Sequence, residues 1–106
     1  MTPRPRNLLF HTSERDFART VIELAELRGW RVYRTWNSLH SPKGWPDLAL
    51  VHDRPPRLVF AELKTERGKL TEPQRETLDL LAAVPGVIVA ECWRPSSWAR
   101  IEAVLH

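Results

Sequence analysis

Apolar residues recur at helical spacing through Phe17, Ala18, Val21, Ile22, Leu24, Ala25 and Leu27, which predicts an amphipathic helix with one face laid on a core. Residues 13–16 have the form of a capping box at its start, and Gly29 is a stop at its end. From residue 31 the pattern turns β-branched and aromatic, so a strand is expected over 31–36, followed by a polar loop over 37–45 that contains Pro42 and Gly44. Two denser apolar runs, 47–52 and 58–65, flank Asp53, Arg54, Pro55, Pro56 and Arg57, whose turn chemistry predicts a hairpin. Both runs are apolar at adjacent positions (Leu48 to Val51, Leu58 to Ala61), so both of their faces are expected to be covered. Residues 71–74 form a second capping box, for a helix with Leu78, Leu81 and Ala82 on its apolar face. Pro85 and Gly86 end that helix before a strand over 87–92, and Pro95, Ser96 and Ser97 open a last helix carrying Trp98, Ile101, Val104 and Leu105. The order is helix, strand, strand, strand, helix, strand, helix, an α/β pattern that describes a small mixed sheet flanked by helices.

The length of 106 residues and the 42% hydrophobic content suit one compact domain, placed at 13–106 behind a flexible basic arm at 1–12. In that arm Pro3 and Pro5 alternate with Arg4 and Arg6, which resists helix formation and fits either a strap along a phosphate backbone or a frayed terminus. Sixteen Lys and Arg against 13 acids lean mildly toward a polyanionic partner. The single cysteine, Cys92, excludes an internal disulfide framework and a multi-cysteine zinc site, and it suits a reducing cytoplasm. No run approaches the roughly 20 apolar residues of a membrane span, and nothing at the N-terminus reads as a signal peptide. The expectation is a cytoplasmic protein with no membrane partner. His11, His40, His52 and His106 share no zinc-binding spacing.

Glu62 and Lys64 sit inside the apolar run that begins at Leu58, and residues two apart on a strand share a face. Burying them unpartnered costs several kcal/mol or shifts their pKa values, so they require either a structural ion pair or a chemical use. A hairpin turn centred between Arg54 and Pro55 sets Asp47 directly opposite Glu62, with Cβ atoms about 4.5 to 5.5 Å apart. Two carboxylates at that spacing repel unless a cation lies between them, and hard oxygen ligands select Mg²⁺ or Mn²⁺. A slip of one residue would turn Asp47 to the other face. Glu14 falls in line with the core stripe of the first helix and Gln74 with that of the second. Ordinary helix-end roles account for both equally well. A structural salt-bridge triad of Asp47, Glu62 and Lys64 is the alternative to a chemical site.

The ordered set Gly44-Trp45-Pro46-Asp47, Glu62-Leu63-Lys64, Gly68-Lys69-Leu70-Thr71 and Gln74 resembles the VRR-NUC family of the PD-(D/E)xK nuclease superfamily, in the form of its stand-alone phage-type members. The resemblance covers nearly the whole chain and implies a restriction-endonuclease-like αβββαβ core. It also implies that Asp47, Glu62 and the backbone carbonyl of Leu63 hold a divalent ion with Glu14 nearby, that Lys64 positions or activates water or stabilises the developing charge, and that Gln74 helps place the water or the phosphate. The ion would lower the pKa of water and offset charge on the phosphorus.

Lys43, Lys69, Arg34 and Arg67 fall on loops or strand ends, where they could contact DNA, and Gly44 and Gly68 would let backbone approach closely; Lys43 and Lys69, which flank the acidic motifs, are the preferred contacts, while solvated surface charge explains Arg34 and Arg67 equally well. Of the five tryptophans, Trp45 is the candidate for stacking on a base, and packing suits most of the rest. A domain this small carries no separate sequence reader, so backbone and shape recognition of branched or duplex DNA is expected. The phage-type resemblance implies a homodimer that resolves four-way (Holliday) junctions in a bacterial or phage-infected cell. Two alternatives stay open: a nonspecific or flap-type nuclease component, and a non-catalytic nucleic-acid-binding module.

Overall fold

The computed structural model describes residues 11–35 and 42–106. Most of the arm at 1–12, together with Trp36, His40 and the centre of the polar loop, lies outside the described residues.

Helix α1 (Glu14–Leu27) starts on Ser13, whose hydroxyl accepts from the Asp16 amide at 3.1 Å. The Asp16 carboxylate pairs instead with Arg19 at 3.1 Å, and no returning bond to the Ser13 amide is seen at this cap. Beyond α1 the chain reverses at Gly29, with φ +89°, a conformation glycine reaches without strain. Strands β1 (Arg31–Arg34), β2 (Leu48–Asp53) and β3 (Pro56–Leu63) follow, then helix α2 (Glu72–Ala82), strand β4 (Val87–Trp93), a 3₁₀ turn at Pro95–Ser97 and helix α3 (Trp98–Val104). The sheet order is β1-β2-β3-β4, with the first three strands antiparallel and β4 parallel to β3. The hairpin turn is centred between Arg54 and Pro55 as expected, with Asp53 pairing with Pro56.

One face of the sheet carries Leu48, Leu50, Val59, Ala61, Leu63 and Trp93, packed against Phe17, Val21 and Ala25 of α1 and against Trp98, Ile101 and Leu105. Burying each large side chain is worth about 1.5 to 3 kcal/mol, so this layer sets the fold. The opposite face is only partly covered. Helix α2 packs on β4 and β3 through Leu78, and its 11 residues reach only about 16 Å. Tyr33 and Ile88 on the edge strands and Val51 on β2 therefore stay exposed, at 57%, 55% and 38%; on the second face of the central strands, expected to be covered, Phe60 is buried, Ala49 and Leu58 are half-buried, and Val51 alone of that set is exposed. Ala82, expected on the apolar face of its helix, is exposed as well.

Candidate active site

Leu48 pairs with Ala61, so one step further the register sets Asp47 opposite Glu62 at the end of the hairpin. The backbone there is fixed from β1: the Thr35 amide donates to the Asp47 carbonyl at 2.9 Å and the Thr35 hydroxyl to the Pro46 carbonyl at 2.9 Å. Asp47 Oδ2 accepts from the Leu63 amide at 2.8 Å. Asp47 stands close enough to Glu62 for its carboxyl to act on the Glu62 carboxyl electrostatically.

Glu62 is only 2% exposed. Desolvation by burial, reinforced by the Asp47 carboxyl and weakly by Glu14, pushes its pKa up from 4.5 to about 9, while the Lys64 charge pulls the other way. Its Oε1 accepts from Gln74 Nε2 at 3.3 Å, and its Oε2 is buried with no hydrogen-bond partner among the described residues. A carboxylate oxygen left so is costly, and an acid pair with an orphaned oxygen is the local chemistry a divalent cation would relieve.

Gln74 combines two roles that sequence treats as rivals. Its Oε1 accepts from the Thr71 amide at 2.9 Å, closing the capping box of α2, and this fixes the amide so that its NH₂ meets Glu62. Lys64 is half-buried, anchored by its amide to the Trp93 carbonyl at 3.0 Å, and among the described residues its ammonium forms no ion pair. That counts against a structural salt-bridge triad.

Glu14, Asp47 and Leu63 line one open pocket of about 240 Å³, together with Arg15 and Arg34. Glu62, Lys64 and Gln74 are not among its walls, and no cluster of three or more His, Cys, Asp or Glu side chains forms among the described residues. Glu14 reaches Glu62 through charge alone. The donors that could hold an ion are the Asp47 and Glu62 carboxylates and the Leu63 carbonyl.

Around this centre Lys43, Arg67 and Lys69 are exposed, Arg34 ends β1 at the pocket, and Trp45 is 41% exposed with its ring edge-on to Phe60 at 5.6 Å. Trp30, Trp93 and Trp98 are buried. Gly44, with φ +86°, uses its missing side chain internally, because a Cβ there would collide with the Pro73 carbonyl at the start of α2. Cys92 is half-buried and its thiol pKa is raised, mainly by that burial. Two residues escaped sequence reasoning. Arg15 adds a guanidinium to the pocket, and Arg94 binds the loop after Lys64. The only signal for either is position: one follows Glu14, and the other follows the strand that neighbours β3.

No family model matches the chain, and neither a curated protein nor a solved structure does. Among the described residues no helix is long and apolar enough to cross a membrane.

Proposed function

We propose that the chain is a Mg²⁺- or Mn²⁺-dependent DNA endonuclease that hydrolyses phosphodiester bonds, with a restriction-endonuclease-like core. The observation that carries this reading is the meeting of Asp47 with the buried Glu62, whose Oε2 has no hydrogen-bond partner among the described residues, beside Lys64, whose ammonium forms no ion pair among them. A structural cluster would pair these charges with one another, whereas a metal-dependent hydrolase keeps them for an ion and a phosphate. The ion, when bound by Asp47, Glu62 and the Leu63 carbonyl, supplies a Lewis acid that lowers the pKa of water and offsets phosphate charge. Glu14 adds negative potential at the same end of the sheet.

The chain's own groups do the rest. Gln74 occupies Glu62 Oε1 and leaves Oε2 to the ion. Lys64 holds a positive charge on the same face as the two acids, where it stabilises charge developing on the phosphate or orients the attacking water. Lys43, Arg67, Lys69 and Arg34 hold the flanking backbone, and Trp45 offers a ring to an unpaired base. Recognition by shape, acting as a homodimer on a four-way junction, is the substrate reading; two symmetric cuts need two sites, which a two-fold dimer supplies.

The test is cleavage of labelled four-way, flap and linear duplex DNA with Mg²⁺, Mn²⁺ or EDTA. Metal-dependent cutting, strongest on the junction, is expected. Preference for flaps, or equal cutting of all three, replaces the junction reading with the flap-type or nonspecific one, and DNA binding without cutting assigns the chain as a binding module.

A further inference from the structure

Beyond the acids and the lysine, the corner formed by the ends of β3 and β4 holds a clamp that no part of the nuclease reading uses. Arg94, the residue after β4, turns its guanidinium under the loop that follows Lys64. Its Nη1 donates to the carbonyls of Thr65 at 2.8 Å, Gly68 at 2.5 Å and, at the limit of a hydrogen bond, Glu66 at 3.5 Å. A second tie runs the same way, with the Ser96 amide donating to the Glu66 carboxylate at 3.0 Å. The loop closes on itself as well, since the Gly68 amide donates to Thr65 Oγ1 at 3.1 Å. Gly68, the residue most tightly held by Arg94, lies near the Lys64 stem: a Cβ added to it would sit 3.5 Å from Lys64 Cδ, at ordinary contact distance.

We propose that Arg94 is a positioning residue for Lys64. It gathers three carbonyls of loop 65–68 on one guanidinium, and the loop so shaped fixes the course of the lysine stem toward the acid pair. The guanidinium is a permanently charged donor, so its bonds to these carbonyls, all from Nη1, are stronger than neutral ones. Within the loop the Gly68 amide alone closes a turn, on the Thr65 carbonyl and hydroxyl, and without the Arg94 tie this short turn would open more readily and loosen the Lys64 side chain with it. The proposal rests on the nuclease reading for its consequence in catalysis, but the clamp itself can be measured without it.

The experiment compares the full chain with its Arg94→Met, Arg94→Lys and Glu66→Ala variants in two assays: single-turnover cutting at saturating DNA beside DNA Kd in EDTA, and amide hydrogen exchange at Gly68. Arg94→Met is expected to lower the cutting rate roughly tenfold to a hundredfold, as small misplacements of a reacting group do, with Kd little changed and Gly68 exchange accelerated. Arg94→Lys is expected to restore only part of the rate, and Glu66→Ala to act in the same direction more weakly. An unchanged cutting rate overturns the proposal, as does a Kd that weakens in step with the rate while Gly68 stays protected, since Arg94 would then be a direct DNA contact. If Arg94→Met does not fold, Glu66→Ala carries both assays. Should the wild-type chain cut no DNA, the nuclease reading fails while the exchange arm still decides the clamp: faster exchange keeps it and unchanged exchange removes it.

Discussion

The two ends of the sheet treat buried polar groups in opposite ways. At the end where β1 begins, Trp30 Nε1 donates to the Leu105 carbonyl at 3.1 Å, and Arg28 donates to the Glu102 carbonyl at 2.7 Å. His52 Nε2 meets the Arg28 carbonyl at 3.0 Å, its Nδ1 accepts from the Arg54 amide at 2.9 Å, and Arg57 lies over the Trp30 ring while donating to the His106 carbonyl. Every one of these groups is spoken for, and together they lock the C-terminal helix to the hairpin. At the other end, among the described residues, Glu62 Oε2 has no hydrogen-bond partner and the Lys64 ammonium forms no ion pair, while two carboxyls face each other. Trp98 Nε1, on the helix that follows β4, is the other buried side-chain polar atom lacking a partner among the described residues. The first end is arranged for stability and the second retains unsatisfied charge, which is the usual mark of a site.

The sharpest way to break this comparison is to remove the charges. Asp47→Asn, Glu62→Ala and Lys64→Ala are each expected to reduce metal-dependent cutting roughly a hundredfold or more, with circular dichroism and DNA binding retained. Loss of folding in all three would recast the site end as structural. At the opposite end His52→Ala is expected to cost about 1 to 3 kcal/mol in stability, because two hydrogen-bonded groups lose their partner. Cutting per folded molecule should stay at the wild-type level. A denaturant titration and a cleavage assay at matched folded concentration check both halves.

A further effect should appear in the pH dependence of the metal-free protein. The native pKa of Glu62, about 9, lies above the ordinary 4.5, so within that window the native state holds a proton that the unfolded chain has lost. Stability conferred by this group is therefore fully present below pH 4.5 and declines as pH rises toward 9. Glu62→Gln should flatten the decline in thermal melts, whereas a wild-type profile flat across the window would contradict the burial. Smallest of all, Lys43→Ala and Lys69→Ala should each weaken DNA binding modestly and reduce the salt slope by about one, and an unchanged slope would remove that residue from the interface.

Much of this arrangement was legible in the sequence because it is local. The turn chemistry at Arg54 and Pro55 sets the hairpin register, and the register alone brings Asp47 opposite Glu62. Helix starts at Ser13 and Thr71 follow from side chains that cap within one turn. What could not be read depends on where distant elements come to rest. The clamp from Arg94 needs β4 laid parallel to β3, the collision avoided at Gly44 needs α2 beneath the loop, and the bare face around Tyr33, Val51 and Ile88 needs the short reach of α2. Gln74 is instructive in another way, since its capping and site roles are one conformation serving both.

Isothermal titration of Mn²⁺ into the protein at neutral pH, repeated in buffers of different ionisation enthalpy, tests the central claim most directly. An ion seated between Asp47 and Glu62 must displace the proton that Glu62 keeps up to a pH of about 9, so binding is predicted to release close to one proton and to be lost in Glu62→Gln. Absence of binding, or binding that releases no proton and survives in Glu62→Gln, would contradict it.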